Sequence, residues 1–148
     1  MNQAFKLLLF IFSIIINTSN AAVHTVKMLN SGADGFMVFE PAVMKISVGD
    51  TINFEATDMA HNSASIAGMI PAGAKPWNGL MSRDISVKFE KEGVYVYQCT
   101  PHLLMAMVGV IQVGESKENF TEIKAIAEKK KSLFVTNKDR LNNYLLQL

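Results

Sequence analysis

The alternation of apolar and polar positions divides the chain into short strands followed by two helices. Residues 23–29 read as a first strand, ending at Asn30-Ser-Gly32. Residues 36–40 are short and apolar, and Pro41, which has no amide to donate, stops them. Residues 43–48 alternate before Gly49-Asp50 turns the chain. In residues 51–56, Ile52, Phe54 and Ala56 fall on one face and Thr51, Asn53 and Glu55 on the other. That pattern marks a strand covered on one side only. Residues 57–62 leave this strand, and residues 68–80, with Pro71, Gly73, Pro76 and Gly79, read as a long irregular loop. Ile85, Val87 and Phe89 alternate in the next strand, and residues 90–93 turn. Residues 94–99 rise, with Cys99 as the last strand residue, and residues 108–113 descend. Seven or eight strands at this spacing predict an all-β fold, a sandwich with Greek-key connections.

The period changes near the C-terminus. Asn119-Phe-Thr-Glu122 fits a capping box with Asn119 as the cap, and Ile123, Ile126 and Ala127 have helical spacing. Lys129, Lys130 and Lys131 place positive charge at the end of that helix, where its dipole favours it. Thr136-Asn-Lys-Asp139 begins a second short helix running through Leu145 and Leu146. Both helices are expected to pack on the sandwich. Residues 22–148 then form one domain, with the sandwich in 22–114 and the helices in 115–148.

The opening stands outside this pattern. Residues 1–17 carry one Lys and no acid, and residues 7–16 are apolar apart from Ser13. Small and polar residues follow, with Ser19 and Ala21 suited to the −3 and −1 positions of a secretory signal. The apolar run is short for a membrane span. Residues 1–21 are therefore expected to be a cleaved signal peptide, with no membrane anchor left behind. The segment has no Arg for a twin-arginine signal and no Cys for lipid attachment.

Export changes the charge and cysteine arithmetic. The whole chain has 14 basic and 13 acidic residues. Removing Lys6 with the signal leaves 13 of each and no formal net charge, which argues against nucleic-acid binding. One cysteine cannot form an internal disulfide, so an exported Cys99 calls for intermolecular pairing, reactivity or a metal.

His102 lies three residues after Cys99, Met107 five beyond that, and His61 thirty-eight upstream of Cys99. One thiolate, two imidazoles and a thioether are the donor set of a mononuclear blue-copper centre. The Cys-x2-His-x4-Met stretch lies between two strands, so it forms a loop at one end of the sandwich, with Pro101 stiffening it. His61 follows a strand and reaches the same point if that end is shared. Soft sulfur donors favour Cu(I) and imidazoles accept Cu(II), so one pocket holds both oxidation states. Taken singly, each residue has an ordinary explanation. A strand Cys is most often a small core residue, and His24 reads as structural or solvated. Met28, Met44 and Met69 read as packing. The combination is what points to copper.

The sequence also resembles a family. Residues 28–42, residues 48–52, Met69-Ile-Pro-Ala-Gly73, and Cys99-Thr-Pro-His102 with Met105 and Met107 are similar to the signatures of the pseudoazurins, blue copper proteins of the cupredoxin class. The resemblance covers residues 23–148. It implies a cupredoxin-like sandwich of about eight strands in two sheets, with the two short C-terminal α-helices packed on it. It implies one copper ion bound by His61, Cys99, His102 and Met107, with Asn62 tying the ligand loops together and orienting the sulfur, and Met37 packing near an exposed His102. It also implies a periplasmic one-electron carrier serving a reductase such as copper nitrite reductase. A monomer is the default expectation, and with no pattern of acid and base groups for a substrate pocket the protein is not expected to be an enzyme.

This chain departs from that pattern in two places. Leu103-Leu-Met-Ala106 stands where the family loop usually has glycines, and the family's collar of lysines is missing. Docking near His102 is therefore expected through Met37, Met59, Pro101, Leu103, Leu104 and Met105, with Lys75 and Arg83 only at the rim. Three other readings use some of the same residues. A copper delivery module uses the same donors but surrenders the metal. A Cys-His hydrolase lacks an oxyanion motif, and zinc is poorly served by methionine.

Overall fold

The structure is a computed structural model and describes residues 20–148. The expected signal segment falls almost wholly outside the described residues. Eight strands form two four-stranded sheets. One sheet has β1 (Val23–Gly32), β2 (Gly35–Glu40), β4 (Thr51–Glu55) and β6 (Ile85–Lys88), in the order β2-β1-β4-β6. The other has β3 (Val43–Ile46), β5 (Ala64–Ser65), β7 (Gly93–Gln98) and β8 (Val108–Val113), in the order β3-β8-β7-β5. The parallel pairings β1–β4 and β3–β8 join strands distant in sequence, as Greek-key connections require.

The strand expectations hold with three corrections. β1 does not stop at residue 29. It runs to Gly32 and pairs with β2 through a two-residue turn, Ala33-Asp34. Gly35 has a φ of 103° there, a conformation open to glycine. β5 was not anticipated, because two residues are too few to show a period. Cys99 lies one residue past the end of β7, although its N–H still bonds to the Met107 carbonyl at 2.9 Å.

The alternation of β7 explains why the molecule has two cores. Tyr95, Tyr97 and Cys99 face between the sheets, where they meet Phe39, Phe54, Trp77 and Phe89. Phe54 and Tyr97 meet edge to face at 5.0 Å, and Phe39 and Tyr97 at 4.6 Å. Val94 and Val96 point to the outer face, with Val108 and Val110 of β8. That face is covered by α1 (Phe120–Lys131) and α2 (Arg140–Leu145) through Ile123, Ala127 and Leu141, and by Phe134 of the segment between them. β7 and β8 are thus buried on both faces, which is why they read as nearly continuous apolar runs.

The capping box does not form. Asn119 precedes α1 but makes no cap hydrogen bond. Its side chain pairs with β7 instead, accepting from Val94 N–H at 3.0 Å and donating to Val94 C=O at 2.7 Å. It fixes the helix to the sheet at the point where β7 begins. The second helix starts at Arg140 rather than Thr136 and ends before an exposed Leu146.

Asp50 anchors the beginning of β1. Its carboxylate accepts from Ala22 N–H at 2.8 Å and Ser47 N–H at 3.0 Å, and pairs with His24 Nε2 at 2.8 Å. The His24 contact, then the Ala22 N–H, holds the Asp50 carboxyl below its ordinary value. A carboxyl lowered in the folded state stabilises the fold above its unfolded value of about 3.9, and that stabilisation is lost as pH falls through the lower folded value. Asp50→Asn is expected to lower the melting temperature at pH 7 by roughly 5 °C. It should also flatten the loss of stability below about pH 4. Thermal melts of both proteins from pH 7 to pH 2 check this; equal acid sensitivity would count against the anchor.

Candidate metal centre

β7 delivers Cys99 to one end of the sandwich, and the chain returns to β8 at Val108. Between them, a 3-10 turn over Leu103–Met105 reverses the chain, and Ala106 takes a left-handed backbone at φ 56°. Met107 N–H then bonds back to the His102 carbonyl at 3.2 Å. His61 arrives from the segment after β4, where Ala60, at φ 67°, turns the chain inward. Ser82 clamps this segment from the β6 side. Its N–H donates to the His61 carbonyl at 2.7 Å, and its hydroxyl accepts from Ala60 N–H at 2.8 Å.

These paths converge. Cys99 Sγ lies 3.3 Å from His102 Nδ1 and 3.6 Å from His61 Nδ1, and the two Nδ1 atoms are 3.1 Å apart. A point equidistant from all three lies about 1.9 Å from each, close to a metal–nitrogen bond of roughly 2.0 Å. Protons cannot satisfy such a triangle, because a neutral imidazole has one donor and one acceptor nitrogen. His61 uses Nε2 on Asn30 Oδ1, at 2.9 Å. With the proton on Nε2, the Nδ1 lone pair faces the triangle, as a metal ligand requires. The residues therefore fit a metal ion.

His61, Cys99 and Met107 have no exposed surface, while His102 is half-buried at the rim. Met107 lies in the core beside Cys99. Burial holds the His61 imidazole below its ordinary value, with His102 adding to this and Asp58 opposing it. Burial pushes the Cys99 thiol up, partly offset by main-chain N–H groups of Asn62 and His102. A cation in place of the thiol proton supplies the charge that burial otherwise discourages.

Asn62 does what the resemblance implies for it. Its Oδ1 accepts from Thr100 N–H at 2.8 Å, and its Nδ2 donates to Gly79 C=O and Thr100 Oγ1, both at 3.1 Å. It joins the segments carrying His61 and Cys99, while its own N–H faces the sulfur. Three contributors carried no signal in the sequence. Asn30, which orients His61, sits at an exposed strand position with no local signal. Exposed Leu80 and Met81 lie in the segment bonded to the His61 loop and extend the apolar surface.

An eight-stranded, two-sheet sandwich with a buried His-Cys-His triangle at one end defines a mononuclear copper protein of the cupredoxin class. Residues 26–114 match the model of the copper-binding proteins of the plastocyanin/azurin family. A pseudoazurin of Methylorubrum extorquens is 44% identical over 105 residues, covering 71% of either chain. One of Paracoccus pantotrophus is 40% identical over 112 residues, covering 76% of this chain and 77% of that one. The crystal structure of pseudoazurin from Methylobacterium extorquens AM1 superposes with a TM-score of 0.75 at 38% identity, covering 84% of this chain and 98% of that one. The chain belongs to the copper-binding plastocyanin/azurin family, and within it to the pseudoazurins. It is accordingly a type 1 copper electron carrier and not an enzyme.

Proposed function

We propose that His61, Cys99, His102 and Met107 hold the copper, and that the protein carries single electrons in the periplasm to a reductase, of which copper nitrite reductase is the expected example. The observation that carries the ligand assignment is the triangle of donor atoms with Nδ1 of both histidines turned inward. Copper supplies a one-electron couple. The protein's part is to keep the donors in one arrangement for both oxidation states, so that little has to move when an electron passes. Asn30 fixes the His61 ring and Asn62 fixes the two loops. Half-buried His102 is the ligand nearest the outside and is proposed as the electron's exit.

The surface around His102 supports docking by apolar contact. Met59 is 72% exposed and Leu104 55% exposed, Pro101 is exposed, and Met37, Leu103 and Met105 are half-buried. Exposed apolar surface of this kind commonly marks a partner site. Arg83 and Lys75 are exposed but are the only cations proposed for its rim.

Export is proposed on the family and on the sequence of residues 1–21, which form the expected signal. Cleavage after Ala21 would turn the Ala22 N–H, 2.8 Å from the buried Asp50 carboxylate, into an ammonium facing an anion. That contact supports the choice of bond. The intact mass of the exported protein should correspond to a chain beginning at Ala22; a chain retaining residues 1–21 would refute it.

Adding Cu(II) to the purified protein should give an intense visible band, bleached by ascorbate and restored by ferricyanide with the metal retained. Cys99→Ser should abolish the band. A colourless protein with a titratable thiol would refute the ligand set, and transfer of the metal to an acceptor would favour delivery over electron carriage. The rate of electron transfer to a partner should change less than about tenfold between 50 and 500 mM salt, because steering needs net charge. A steeper fall would refute apolar docking.

A further inference from the structure

Arg140 is buried, and among the described residues it forms no ion pair. Its guanidinium is surrounded by main-chain carbonyls. Nη1 donates to Met37 at 3.0 Å, Ala106 at 3.2 Å and Met105 at 3.5 Å, and Nη2 to Asp34 at 3.0 Å and Phe36 at 3.2 Å. A buried charge needs its donors satisfied, and all of these partners come from two segments. One is the turn and first residues of β2. The other is the end of the loop that leads into Met107.

The accepting residues are unusual in their backbones. Met37 and Ala106 both have left-handed conformations, at φ 51° and 56°. Residues with a side chain disfavour that region. One nitrogen, Nη1, holds the carbonyls of both. The tail grips the same loop twice more. Val135 N–H donates to Leu104 C=O at 2.7 Å, and Asn137 Nδ2 to Met105 C=O at 3.4 Å. Three successive carbonyls before Met107 are thus held from α2 and the segment leading into it.

We propose that Arg140 is a positioning residue for the copper centre. Its guanidinium holds Ala106 in the left-handed conformation, which sets where Met107 starts, and the same group holds Met37 in place. This deepens the copper reading and rests on it. The Met107 thioether would be a weak ligand to copper, so the fold more than the bond would decide its position, and the potential and the spectrum would follow that position. Arg140 therefore lets this chain use Ala106 at a position of the loop that otherwise suits glycine.

The test is Arg140→Lys, which keeps the charge and loses the planar fork of donors. It is made alone and together with Ala106→Gly, which removes the left-handed penalty. In the metal-free protein, amide hydrogen exchange at Ala106 and Met107 is expected to quicken roughly tenfold relative to β7 in R140K. This readout holds whether or not the four-ligand assignment is correct. In the copper-loaded protein, the ratio of the visible charge-transfer bands and the reduction potential are expected to shift. Ala106→Gly is expected to reverse the shift. Unchanged exchange at these two amides overturns the proposal. Faster exchange with an unaltered spectrum and potential overturns its copper part, leaving an ordinary strut. A shift that Ala106→Gly does not reverse, or an R140K protein that fails to fold with or without that change, overturns the role given to Ala106.

Discussion

One main-chain hydrogen bond, from Cys99 N–H to the Met107 carbonyl at 2.9 Å, closes the ligand loop. It continues the antiparallel pairing of β7 and β8 by one step beyond Gln98 and Val108. Everything between must then turn within seven residues, and a 3-10 turn followed by a left-handed Ala106 is the way this sequence does it. Because the loop is closed by the sheet itself, Cys99 and Met107 are fixed relative to the two most buried strands of the molecule. His102 is fixed in turn by its own carbonyl, which accepts from Met105 and Met107 N–H groups. Only His61 has to be brought from elsewhere.

That separate arrival is managed by polar contacts rather than packing. Asn62 spans to Thr100, Ser82 clamps the His61 backbone, and Asn30 takes the outward nitrogen of the ring. The Asn62 and Asn30 contacts are partly buried, where an unpaired partner is penalised. The pocket is thus specified before any metal enters, with three donor atoms held about a metal's width from a common centre. Binding then requires little rearrangement, and so does a change in oxidation state.

The second core explains why the helical tail matters to a site on a sandwich. Helices α1 and α2 cover the outer face of β7 and β8, so those strands are clamped from both sides. The tail also reaches past the sheet, and the ligand loop has apolar residues on its outer side. Leu103 packs against the same cluster as Phe134 and Leu141, while Leu104 remains exposed. A loop with leucines in place of glycines is tolerated where one side has a surface to pack on and its carbonyls have donors to meet.

Much of this was legible in the sequence. Period-two alternation, together with short apolar runs bounded by turn residues, located seven of the eight strands within a few residues. The change to helical spacing located both helices, and the donor types in Cys99-x2-His102-x4-Met107 named the metal chemistry. Those signals are local, and local signals survive in a string. The capping box failed because Asn119 had a better partner in Val94, a choice that depends on what lies opposite. β5 carried no pattern because its two residues owe their conformation to β7. Asn30, sixty-nine residues from Cys99, and Arg140, thirty-three from Met107, gave no sign of belonging to the site, since a hydrogen bond between distant segments leaves no period behind. Residue types and their spacing settle which atoms can bind the metal and which strands bring them near. The tertiary structure alone decided how those atoms are aimed, because aim is set by partners that the fold, and not the chain, makes neighbours.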